Sequence, residues 1–221
     1  MSSGLSFSEI MKQRYSVRYF LPKPIPEATL KAIMETSILT PSWGNSQPWN
    51  IYVASGNTLE KIRKDWIAKN KEGIKGNSEI EAGHRTDFSE RCQKNMNDIM
   101  MQFGGILKDP TMKVFMEANF ILFNAPTLVY ITVPKKRTLY NIFDTGAVEM
   151  SVIAAAKELG IDSVPAYEAI KYPDIIKKYI KISDDEDIII GIALGYEDKE
   201  NIVNKCKAKK LALNEVCHFY D

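Results

Sequence analysis

The 221-residue sequence contains only His84 and His218 as histidines, and only Cys92, Cys206 and Cys217 as cysteines. Two dispersed histidines and no CxxC spacing leave a zinc site without its clustered ligands. An odd, scattered cysteine count does not build a disulfide framework and suits a reducing compartment. No apolar run approaches the ~18 residues that span a bilayer. The N-terminus lacks a basic stretch followed by an apolar one, so no secretory signal is expected. Formal net charge is +1, with no excess of either sign to meet a nucleic acid. A cytoplasmic protein without nucleic-acid or membrane partners is the expectation.

Several nucleotide and nucleophile signatures are also missing. There is no GxGxxG after a strand, no GxxxxGKS/T, no GxSxG and no Cys/His pairing for a covalent nucleophile. An enzyme without them commonly relies on a cofactor for the difficult step.

What is present begins with Ser6, which with Glu9 forms a capping-box pattern, Leu5 and Ile10 being spaced as a hydrophobic staple. Pro26 and Glu27 suit the first turn of a second helix, with Leu30, Ile33, Met34, Ser37 and Ile38 on one face. A strand is predicted over 49–54 and a helix over 58–68. Residues 73–83 are polar and Gly-containing and are predicted as a mobile excursion. Helices follow over about 88–103 and 111–124, the latter stopping at Pro126. Thr127–Val133 is β-branched, bounded by prolines, and predicted as a buried strand. The helix predicted over 141–159, closed by Gly160, is apolar on nearly every face, which places it centrally or against a partner subunit. A short helix opens at Pro173, 187–194 forms a central strand, and 201–221 extends as an arm. The order lacks regular βαβ alternation, so the fold class is α+β, in one domain over residues 1–221.

Four segments carry possible chemistry. Arg14, Tyr15, Ser16, Val17 and Arg18 put two guanidiniums around a hydroxyl, a geometry that holds a phosphate; the plainer reading is a basic helix end. Pro41–Trp49 packs two prolines, a glycine, two amides and two tryptophans between a helix and a strand, as a binding loop or simply a loop rich in turn residues. Asp162–Glu168 holds Pro165 in extended backbone, with Ala166, Tyr167 and Glu168 offering amides to a ligand or merely joining two elements. Lys205, Lys207, Lys209 and Lys210 form the one tight basic cluster, either solvated surface or a grip for one phosphate. Trp43, Trp66, Tyr140 and Phe143 fit core or interface packing better than an acceptor pocket, and the three cysteines read as structural thiols.

Taken in order, these segments resemble the nitroreductase family of flavoproteins. Its R-R/H/Y-S-V-R element is matched by Arg14 to Arg18. Its P-S-x-x-N-x-Q-P-W loop is matched at Pro41, Ser42, Asn45, Gln47, Pro48 and Trp49, and its G-L/I-D-S-x-P stretch at Gly160 to Pro165. The C-terminal N-x-x-R-x-x-R-x-P-L survives as Asn204, Lys207, Lys210 and Leu213, with lysines for both arginines and Ala212 for the proline. Residues 70–100 match no family element.

The resemblance implies an α+β fold with a mostly antiparallel sheet flanked by helices, in an interlocked homodimer holding FMN at the subunit interface. Arg14 and Ser16, with Tyr15 beside them, would bind the FMN phosphate and ribityl chain, helped by Lys210 and Lys207. Arg18 would face the pyrimidine side as an electrostatic tuner of the ring. Pro41, Ser42, Asn45 and Gln47 would reach the flavin from the other subunit, and Pro165 to Glu168 would face N5 and O4. No side chain need act as acid or base. NADH or NADPH would deliver hydride to flavin N5, and a nitroaromatic, quinone or similar acceptor would then be reduced in ping-pong fashion. The alternatives are a flavin-storing or sensing protein with little turnover, and a specialised reductase such as a dehalogenase.

Overall fold

In the computed structural model, which describes residues 4–221, Ser6 opens the first helix as its spacing predicts. Its hydroxyl accepts from the Glu9 N–H while the Glu9 carboxylate accepts from the Ser6 N–H at 2.7 Å, so α1 (Phe7–Gln13) starts with a closed capping box. The expectation of no leader segment falls partly on residues 1–3, outside the described residues. α2 (Glu27–Ser37) begins after Pro26 and buries Leu30, Ile33 and Ser37. Ile38, predicted on that face, lies past the helix end and is half exposed. β1 (Asn50–Ser55) leads into α3 (Gly56–Lys71), which buries Leu59, Ile62 and Trp66.

α4 (Glu90–Leu107) and α5 (Lys113–Phe120) form a hairpin ahead of β2 (Thr127–Pro134). α6 (Leu139–Glu158), β3 (Asp162–Ala166), α7 (Pro173–Tyr179), β4 (Glu186–Gly195) and the single turn α8 (Leu213–Val216) complete the order. The strands form one antiparallel sheet, β1-β2-β4-β3. The fold is α+β, as expected.

The sheet is covered on both faces, which explains the near-continuous apolar runs of β2 and β4. Leu128 and Tyr130 face a core completed by α3 and α7, with Leu59, Ile62, Trp66, Ile175 and Ile176. The alternate residues Val129 and Ile131 face Ile33 of α2 and Val148 and Val152 of α6. Each such buried aliphatic side chain contributes roughly 1.5–3 kcal/mol relative to exposure. A bulge where Ile131 pairs with Ile190 but Thr132 with Ile188 bends β4 near its start.

Three expectations change. Residues 162–166, read as an irregular connection, form β3; Pro165 is tolerated there because only β4 pairs with it along the strand. The helix predicted over 111–124 ends at Phe120, because Leu122, Phe123 and Asn124 all adopt positive φ. The tail is no free arm at its start: Val203, Asn204 and Cys206 are buried, and exposure becomes general from Lys207 onward. Of the two placements expected for helix α6, the fully central one does not hold within the chain, since Leu139 is 87% and Phe143 75% exposed.

Residues 73–83 are irregular, as predicted, but firmly tied down. Asn77 N–H donates to the Lys171 carbonyl at 2.8 Å, and one Glu79 oxygen pairs with Lys177 Nζ at 2.7 Å. The other Glu79 oxygen accepts from the Ile188 N–H at 2.7 Å, beside the β4 bulge. Among the described residues, no helix is long and apolar enough to cross a membrane.

Candidate functional site

The Arg14–Arg18 segment leaves α1 in extended conformation and runs beside the free edge of β3. Ser16 bridges to Ser163 in parallel fashion, with Val17 N–H donating to the Ser163 carbonyl at 3.0 Å. This contact brings two of the four motifs together. The third arrives through Asn204, whose side chain holds the C-terminal segment against Arg18 and Tyr19. Arg14, Tyr15, Lys207 and Lys210, together with Lys157, then line one cleft of about 600 Å³. A narrower recess continues from it past Ser16 and Arg18.

The cleft is built for an anion. Arg14 Nε is buried and has no hydrogen-bond partner, an orphan donor that a phosphate oxygen would satisfy. Lys157 is already neutralised by Asp162 at 2.8 Å. Lys207 Nζ stands 3.9 Å from the centroid of the Tyr15 ring, and Lys210 is exposed at the rim. The Tyr15 hydroxyl donates to Glu197, whose own N–H donates to Asp162 at 3.2 Å. Burial first, and then the Glu197 carboxylate, push the Tyr15 phenol above its usual range, so it stays a neutral donor. Apart from the paired Lys157, the cations Lys12, Arg14, Lys207 and Lys210 line the cleft, a set that fits a phosphate monoester and therefore fits the phosphate end of FMN.

Tyr167 and Glu168 lie in a 3₁₀ turn, Tyr167–Ile170, that follows β3 and presses on β4. Gly191 makes this possible: a Cβ there would meet Ala169 Cβ at 2.7 Å. The Tyr167 hydroxyl is 2.8 Å from Ser78 Oγ, so residues 77–80 brace this turn from outside. Burial raises the Glu168 carboxyl above its usual range against the opposing pull of Lys171, its partner at 2.5 Å.

The fourth motif stands elsewhere. Pro41, Ser42, Asn45 and Gln47 line neither the cleft nor its recess, and Pro165, Ala166, Tyr167 and Glu168 of the Asp162–Glu168 segment line neither as well. Their loop is fixed on α6, where the Trp43 N–H donates to both oxygens of the buried Asp144, at 3.1 and 3.2 Å. Ser42 Oγ accepts from the Gln47 N–H at 2.8 Å, and Gly44, Asn45 and Gln47 take positive φ to close the turn. The loop is exposed, with Trp43 stacked on Tyr140 at 5.4 Å and Phe143 bare nearby on α6. Trp66, by contrast, is core.

Asn204 and Glu197 were not among the predicted site residues. Asn204 carries its signal in the C-terminal motif, but Glu197 has none that sequence reading could find.

The Nitroreductase family model matches residues 11–196, most of the chain. The chain belongs to the nitroreductase family. It is 25% identical to a 4-nitrobenzoate reductase of Pseudomonas putida over 96% of this chain and 95% of that protein. It is 24% identical to a chloronitrobenzene nitroreductase of Comamonas testosteroni over 99% of both chains. Among solved structures, the FMN-dependent nitroreductase NfnB of Mycobacterium smegmatis, in complex with NADPH, superposes with a TM-score of 0.89 at 21% identity, covering 97% of both chains. At that identity the superposition speaks to the fold.

Proposed function

We propose that this nitroreductase-family chain is an FMN-dependent oxidoreductase that takes electrons from NADH or NADPH and reduces nitroaromatics, quinones or similarly electron-poor acceptors by a ping-pong mechanism. The single observation that carries the reading is the basic cleft, lined by Lys207, Lys210 and Arg14, whose Nε is buried without a hydrogen-bond partner. Relatives along the full length of the chain bear nitroreductase names, which supports the same substrate class.

FMN, when bound, would supply the two-electron redox chemistry between nicotinamide and acceptor. The chain's own residues bind and orient. Arg14, Lys207 and Lys210 would hold the phosphate, and Ser16 with Tyr15 the adjoining ribityl chain. Pro165, Ala166, Tyr167 and Glu168 would present backbone to the ring edge, and Arg18 would face its pyrimidine side. Lysine binds phosphate as a point charge without the bidentate fork of arginine, so the grip depends more on ionic strength.

The protein acts as a cytoplasmic homodimer, with residues 1–221 forming one FMN-binding domain. Pro41, Ser42, Asn45 and Gln47 are displayed beside the bare Phe143 and Leu139 of α6 and away from the same chain's cleft. A second copy seated on this face would bring the loop to its partner's flavin and cover apolar surface that a monomer leaves in water. The exposed C-terminal residues, Phe219 and Tyr220 among them, would serve as the arm that embraces it.

A second reading, a flavin-binding protein with little turnover, draws on the replacement of both C-terminal arginines by Lys207 and Lys210. Anaerobic stopped-flow reduction by NADPH followed by mixing with nitrobenzoate or menadione separates the two. Fast bleaching and fast recovery of the flavin absorbance support the enzyme; bleaching without recovery on any acceptor supports the alternative.

A further inference from the structure

The guanidinium of Arg18 lies in the angle between two aromatic rings, 5.1 Å from the centroid of Phe103 and 5.3 Å from that of Phe115. The rings are 6.0 Å apart and inclined at 40° to each other. Nη1 donates to the carbonyls of Ser16 at 2.9 Å and Cys206 at 3.0 Å. Among the described residues, no carboxylate pairs with it. Ring faces and carbonyl dipoles stabilise a cation without neutralising it. Arg18 therefore keeps a full, desolvated charge, and burial holds its pKa below the usual guanidinium range. Arg18 is also one of the residues that line the recess, with Arg14, Ser16 and Lys210.

The mount is stiff. Phe103 sits on α4 and Phe115 on α5, and together with Leu107, Met112 and Cys206 they form a small core apart from the two main ones. The turn between the helices is locked by Asp109, whose carboxylate accepts from Thr111 N–H at 2.9 Å, Thr111 Oγ1 at 2.6 Å and Lys113 N–H at 2.7 Å. A hairpin held at its turn fixes the angle between the rings, and the angle fixes the cation.

We propose that Phe103 and Phe115 are positioning residues that present Arg18 as an uncompensated cation to the negative charge a bound flavin gains on reduction. The proposal rests on the FMN reading above and assigns a role to the α4–α5 hairpin. Neither ring carries a polar group; each acts through Arg18 alone.

The test is the dissociation constant of FMN from the full-length protein, measured with oxidised FMN and, anaerobically, with dithionite-reduced FMN. Phe103→Leu and Phe115→Leu each remove one ring face, and Phe115→Tyr retains it. The expected result is a ratio of oxidised to reduced constants about five- to tenfold smaller in the leucine variants. Oxidised FMN should stay within about threefold of wild type, and Phe115→Tyr should keep the wild-type ratio. Phe115 is only half buried, so its leucine variant keeps the proposal testable should Phe103→Leu not fold. An unchanged ratio in Phe115→Leu, or equal weakening of both forms, overturns the proposal while leaving the FMN reading intact. Failure of the wild type to bind FMN overturns both.

Discussion

The side chain of Asn204 and the backbone of Tyr19 form a reciprocal pair: Nδ2 donates to the Tyr19 carbonyl at 2.8 Å, and Oδ1 accepts from the Tyr19 N–H at 3.2 Å. The same oxygen takes the Arg18 N–H at 2.8 Å, and the same nitrogen reaches the Asp198 carbonyl. One buried amide thus does for two distant segments what a strand ladder does for neighbours. Asn204→Ala strands the Arg18 and Tyr19 N–H groups, at about 1–3 kcal/mol for each one left unpaired, while the two carbonyls keep the Asp198 and Asn201 N–H donors. An expected loss of about 2–4 kcal/mol lowers Tm by roughly 5–15 °C for a chain of this size. Asn204→Asp should be no better, because its second oxygen faces two carbonyls. Calorimetry checks this, and an Asn204→Ala variant of unchanged Tm contradicts it.

Restoring arginine at the phosphate grip should tighten it. Lys207→Arg with Lys210→Arg is expected to strengthen FMN binding about three- to tenfold and to flatten its salt dependence, since a forked, charge-assisted contact is gained. Riboflavin, lacking the phosphate, should bind all versions alike. Fluorescence titration of both ligands at two salt concentrations decides it; equal gains for riboflavin would remove the lysines from the phosphate.

The Pro41–Gln47 loop depends on Asp144, whose two oxygens take the Trp43 N–H. Asp144→Ala should cost about 1–3 kcal/mol and also weaken FMN binding, because the loop would reach the partner's flavin. Asp144→Asn, which keeps an acceptor, should recover most of both. Loss of stability with FMN binding untouched would place the loop outside the flavin site.

Glu79 fastens residues 73–83 by its two oxygens, one on Lys177 and one on Ile188 N–H. Glu79→Ala is expected to speed cleavage by trypsin at Lys75, within this segment, and at Arg85, just beyond it, under native conditions, with a smaller effect from Glu79→Gln. Mass mapping of the first fragments reads the outcome; cleavage elsewhere first would show the segment is held by other contacts.

Local signals in the sequence were clear where local physics decides the structure. Ser6 and Glu9 sit three apart and cap each other; Thr127–Val133 is apolar on both faces because both faces of β2 are covered. The elements that escaped are set by distant partners. β3 is five residues long, contains Pro165 and owes its existence to β4 thirty residues later. The positive φ values at Leu122, Phe123 and Asn124 occur without a glycine to announce them. At the site, resemblance supplied Arg14, Ser16 and the lysines as separate motifs, and the fold placed three of the four motifs side by side. The neighbours that hold Arg18, at positions 103, 115 and 206, lie too far along the chain for any spacing rule to reach.

The cleft lined by Arg14 and Lys210 is where the flavin phosphate is proposed to bind, and one measurement reaches it directly. Purified wild-type protein, reconstituted with FMN and desalted, should retain about one flavin per chain with absorbance bands in the blue and near-ultraviolet, and Arg14→Ala should lose most of it under the same conditions. A colourless wild-type protein, or an Arg14→Ala variant that holds FMN as tightly as wild type, would contradict the assignment of this cleft to the flavin phosphate.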